Sequence, residues 1–87
     1  MKQIAIIGAG TMGLGIAHVM AQFGLKVSLI DLNEKILTES KKIISINIDR
    51  QIRKGVINVK QKKIILSNIT FTKEFNESVK NAELVVE

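Results

Sequence analysis

Eighty-seven residues suffice for one small domain, but a chain of that length buries only a modest share of its surface, so a two-faced sheet built from it alone would be marginal. With 46% hydrophobic and 24% charged residues and few aromatics, the composition suits an aliphatic α/β core and excludes a disordered chain. The lack of cysteine excludes a disulfide framework and a thiol nucleophile and agrees with a reducing, cytoplasmic setting, while no apolar run reaches the roughly 18 residues of a membrane span.

Ile4-Ala5-Ile6-Ile7 is a continuous apolar run that stops at glycine, the pattern of a strand covered on both faces. From Met12 to Phe23 the spacing turns helical. Met12, Ile16, Val19, Met20 and Phe23 form its larger apolar stripe, and Gly13 and Ala17, one turn apart, would let the helix lie close to a sheet or a ligand. Gly24 is placed to end this helix in the left-handed conformation. Lys26 to Ile30 reads as a second strand, which closes a βαβ unit with a right-handed crossover.

Asn33 is positioned to cap a long helix over Glu34 to Lys54, whose Ile36, Leu37, Ile43, Ile44, Ile48 and Ile52 recur at helical spacing. Isoleucine is a weak helix former, so this helix depends on packing, and Gly55 ends it. Asn58 to Leu66 reads as a shorter helix, because its Lys-rich start lacks strand alternation. The two helices would project as a pair from the sheet. Asn68 to Thr72 is a short strand, Lys73 to Lys80 a brief helix and Leu84-Val85-Val86 another buried strand. More sheet is expected to follow that last strand, as at the front of a longer protein.

Charge is uneven. Residues 35 to 63 carry nine of the thirteen Lys and Arg against Glu39 and Asp49. Such a segment either attracts a polyanion or a phosphorylated small molecule, or is an ordinary solvated helix face.

The strongest chemical signal is Gly8-Ala9-Gly10-Thr11-Met12-Gly13 between the first strand and the first helix, with Asp31 closing the second strand. Gly8 would let the chain turn off the strand, Gly10 would leave room for a pyrophosphate, and Gly13 would remove a side chain where helix meets strand. Amides around Gly10, Thr11 and Met12 would face the phosphate charge. Asp31 would accept the adenosine ribose hydroxyls and repel a 2′-phosphate, which favours NAD over NADP; FAD uses the same fingerprint. His18 lacks a visible acid partner and reads as a helix surface or interface residue, and the scattered acids make no metal set, so no catalytic residue is assigned.

In wording, Gly8 to Ala17 followed by Leu29-Ile30-Asp31 resembles the amino-terminal domain of the 3-hydroxyacyl-CoA dehydrogenases, and the likeness runs through all 87 residues. The resemblance implies a Rossmann-type doubly wound parallel sheet, incomplete here, with residues 1–87 forming the N-terminal part of an NAD-binding domain. It also implies hydride transfer between NAD and the 3-hydroxyl carbon of an acyl-CoA substrate, and a homodimer when complete. The family's catalytic histidine, glutamate, serine and asparagine come later than this chain extends, so the 87 residues are expected to be inactive alone. The alternative is a stand-alone dinucleotide-binding module. By the same resemblance Lys54 falls at a lysine that meets the CoA phosphates, and Asn47 stands where some relatives have serine. That gives the basic middle a ligand and weakens the case for nucleic acid, which has no aromatic platform here.

Overall fold

The computed structural model describes residues 3–87. Its elements run β1 (Gln3–Ile7), α1 (Thr11–Gln22), β2 (Lys26–Ile30), α2 (Glu34–Arg53), α3 (Val59–Ser67), β3 (Ile69–Thr72), α4 (Phe75–Lys80) and β4 (Leu84–Val86). All four strands are parallel in the order β3-β2-β1-β4. The chain therefore builds outward from β1 through β2 to β3 and then returns to the other side of β1. With right-handed crossovers, α1, α2 and α3 cover one face and α4 the other, which makes the sheet doubly wound.

Strand alternation sorts the two faces. Ile4, Ile6, Val27, Leu29 and Ile69 point into the main core with Leu14, Ala17, Ala21, Leu37, Ile44 and Ile48. On the opposite face Gln3, Ser28, Thr70 and Thr72 meet Glu77, Ser78 and Asn81 around a polar groove, so the apolar weight lies on one side of the sheet. β1 itself is covered on both faces, since Ile4, Ala5 and Ile6 are all buried.

The first helix presses its smaller side chains to the sheet, while Ile16 and Met20 of the larger stripe are partly buried against the core. Its buried residues are Leu14, Ala17 and Ala21, whereas Met12 is 79% and Phe23 80% exposed. Small side chains win the sheet-facing position because they let the helix axis approach. A Cβ on Gly13 would lie 1.9 Å from the Gly8 carbonyl oxygen, so nothing larger fits there. Gly24 ends the helix with φ +91, as its position predicts.

Asn33 caps α2 through Oδ1, which accepts from the Lys35 N–H at 3.0 Å and the Ile36 N–H at 3.2 Å. At ~1.5 Å per residue this 20-residue helix is about 30 Å long, nearly twice a five-residue strand, so its far end overhangs the sheet. There α3 doubles back beside it, started by a reciprocal capping box between Asn58 and Gln61. Lys62 Nζ meets Asp49 Oδ1 at 2.7 Å and ties the pair together. The side chain of Asn68, at the end of α3, is buried and donates from Nδ2 to the Ala21 carbonyl at 3.0 Å. The strand that follows begins at Ile69 because Asn68 is spent as the helix cap.

Candidate functional site

The reversal of strand order falls between β1 and β4, and the crevice outside the carboxyl ends of such strands is where open α/β sheets bind ligands. Gly8 leaves β1 with φ +99, a conformation open to glycine, and its N–H donates to the Ile30 carbonyl at 2.8 Å. Gly10 then occupies the cap position of α1 and supplies no side-chain cap. The N–H groups of Thr11, Met12 and Gly13 open the helix without an intrahelical partner and carry the positive end of its dipole. A Cβ on Gly10 would meet nothing within 4 Å. The space over Gly10 is thus open.

Asp31 follows β2 and sits beside the same loop. Its Oδ2 accepts from the Ala9 N–H at 3.0 Å and its Oδ1 from the Asn33 N–H at 2.9 Å. The Asn33 donor, then the Ala9 donor, hold its carboxyl below the usual value, while burial opposes them. The anion keeps free lone pairs for further donors such as vicinal hydroxyls. Among the described residues no Lys or Arg lies within ion-pair distance of Asp31, and Lys73 is instead 3.9 Å from Glu34.

Two hollows flank the loop. One, of about 380 Å³, is lined by Ile7, Gly8, Ile30, Asp31, Leu32 and Phe75 and is chiefly apolar, with the Asp31 carboxylate at its side. The other, of about 320 Å³, runs past Gly10, Met12, Gly13 and Ile16 to Val86 and Glu87. A two-part ligand bridging them would cross Gly8 and the open helix start. Leu32 and Phe75, which give the first hollow its apolar walls, carry no signal in the sequence. Their relevance depends on β3 and α4 returning beside β2. A larger cavity of about 480 Å³ lies at the other end of α1, beside Phe23, Ile57, Gln61 and Ile65, and has no charged lining residue.

Gly8, Gly10, Thr11, Met12, Gly13 and Asp31 are therefore brought together at one end of the sheet. Asn47 and Lys54 are not part of that group. Asn47 lies on α2 and is half-buried, and Lys54, seven residues on, is the exposed cap residue just past the end of that helix. His18 sits on α1 with Nε2 3.2 Å from Gln51 Oε1 of α2, so its partner is an amide and not a carboxylate. Among the described residues no cluster of His, Asp and Glu could hold a metal ion, and no helix is long and apolar enough to cross a membrane.

Residues 3–87 match the family described as 3-hydroxyacyl-CoA dehydrogenase, NAD binding domain. The chain belongs to that family. It is 36% identical to a 3-hydroxybutyryl-CoA dehydrogenase of Bradyrhizobium diazoefficiens over all 87 residues, which cover 29% of the relative. A 3-hydroxybutyryl-CoA dehydrogenase of Mycobacterium tuberculosis is 29% identical, again over the whole chain and 30% of its own length. Among solved structures, (S)-3-hydroxybutyryl-CoA dehydrogenase of Ralstonia eutropha superposes with a TM-score of 0.92 at 28% identity, over 97% of this chain and 29% of that one. The chain thus spans about 30% of the length of these relatives.

Proposed function

We propose that these residues bind NAD, with the adenosine ribose on Asp31, the adenine in the Leu32–Phe75 hollow and the pyrophosphate over Gly8, Gly10, Thr11, Met12 and Gly13. The observation that carries the proposal is the pairing of Asp31, whose carboxyl two backbone donors hold below its usual pKa, with an open, glycine-lined helix start, no Lys or Arg lying within ion-pair distance of Asp31 among the described residues. The bound cofactor would supply hydride exchange with the 3-hydroxyl carbon of an acyl-CoA, interconverting 3-hydroxyacyl-CoA and 3-ketoacyl-CoA in the longer protein. Within the 87 residues the single histidine is engaged by Gln51, so the chain alone holds cofactor and is expected not to turn over. Asn47 and Lys54 on the overhanging helix would meet CoA.

Calorimetry with NAD and NADP on the unmodified protein and on Asp31→Ala tests the cofactor assignment. Loss of a hydrogen-bonding carboxylate should weaken NAD by about 1.5–3 kcal/mol and erase much of the preference over NADP. Unchanged NAD affinity in Asp31→Ala would overturn it.

A further inference from the structure

Ala9, the residue between the first two fingerprint glycines, is 1% exposed, and both of its backbone polar groups are held by side chains. Its N–H goes to Asp31. Its carbonyl accepts from Ser40 Oγ, at 2.5 Å, across 31 residues of sequence. Ser40 is on α2, is 2% exposed, and also approaches the Ile36 carbonyl one turn back, at 2.8 Å. A hydroxyl has one proton for these two acceptors. The Ile36 carbonyl already has a helical N–H partner, whereas no backbone N–H reaches the Ala9 carbonyl among the described residues, so the proton is needed at Ala9.

The direction of that bond matters for the site. In a trans peptide the carbonyl and the following N–H point opposite ways in one plane. Fixing the Ala9 carbonyl inward, against α2, therefore fixes the Gly10 N–H outward into the groove. We infer that Ser40 is a positioning residue for dinucleotide binding: through the Ala9 carbonyl it sets the peptide plane that aims the Gly10 amide at the pyrophosphate. This rests on the NAD reading above. Ser40 touches no ligand and acts by removing the reorganisation that a free loop would undergo on binding.

The test uses ADP-ribose, which occupies the loop without the nicotinamide, titrated by calorimetry into the unmodified protein, Ser40→Ala, Ser40→Thr and Ile44→Val. Ser40→Ala should bind ADP-ribose about five- to tenfold more weakly, the scale of one hydrogen bond, and Ser40→Thr, which keeps the hydroxyl, should recover most of it. Ile44→Val, one turn along the same buried face, should lower the melting temperature and leave the affinity of the folded fraction unchanged. Separately, in the ligand-free protein the ¹⁵N order parameter of Gly10 should fall in Ser40→Ala from about 0.85 towards about 0.6. Wild-type affinity in Ser40→Ala, or a Gly10 order parameter that does not move, would overturn the inference. If the unmodified protein does not bind ADP-ribose, the NAD reading itself falls, and the Gly10 measurement still decides whether Ser40 holds the loop.

Discussion

Asp31 joins two backbone donors that lie on either side of the site, Ala9 in the glycine loop and Asn33 at the start of α2. Those donors hold its carboxyl below the ordinary value of 3.8. A group with a depressed folded pKa binds fewer protons folded than unfolded, so its stabilisation is complete above the unfolded value and disappears as pH falls through the folded one. Stability should therefore drop below about pH 4 through this group. Asp31→Asn, which cannot titrate, should flatten that acid limb while lowering stability at neutral pH, because its NH₂ would face one of the two N–H donors. Urea midpoints followed from about pH 7 to about pH 2 check the difference. Parallel profiles for the two proteins would contradict the assigned hydrogen bonds. As a candidate site residue Asp31 was visible in the sequence, because its place depends on local order, strand then carboxylate. Ser40 was not, since a serine between Glu39 and Lys41 looks like helix surface until the loop is folded against it.

At the level of elements, hydrophobic spacing and caps place all eight within a residue or two, because each is set by local periodicity and by Asn33, Gly24, Gly55 and Asn58. Which face of α1 is buried was harder to read. The stripe from Met12 to Phe23 carries the larger side chains, but approach distance selects Leu14, Ala17 and Ala21, and that preference arises only once the sheet lies beneath. The long α2 shows the same division. Its core residues Ile44 and Ile48 anchor it, while Lys54 lies about 20 Å along the axis from Ser40 at ~1.5 Å per residue. A lysine so far from the glycine loop should act on a different ligand. Lys54→Ala should weaken a CoA ligand several-fold, losing roughly 0.5–1.5 kcal/mol for an exposed hydrogen bond to phosphate, with NAD affinity near wild type. Titration of the variant with CoA and NAD in parallel decides the matter: equal losses would point to damaged folding, and no CoA loss would remove Lys54 from that role.

In the whole molecule, the groove proposed for the dinucleotide is shared by parts that are remote in sequence: the β1 loop, Asp31 after β2, Phe75 after β3 and Val86 on β4. A small domain with its apolar weight on one face of the sheet has little stability to spare, and a ligand that touches all of these parts binds only when they are assembled. Binding to the folded state alone adds RT ln(1 + [L]/Kd), about 2.7 kcal/mol at a hundredfold excess over Kd. For a domain of this size each kcal/mol raises Tm by about 4–8 °C, so saturating NAD should lift Tm by roughly 10–20 °C. NADP at the same concentration should give a clearly smaller rise, because its 2′-phosphate would meet Asp31, which has no Lys or Arg within ion-pair distance among the described residues. Melting curves followed by circular dichroism across a cofactor series measure both. A flat Tm with NAD would remove the dinucleotide reading, and equal shifts with the two cofactors would leave NAD binding intact while ending the role of Asp31 in choosing between them.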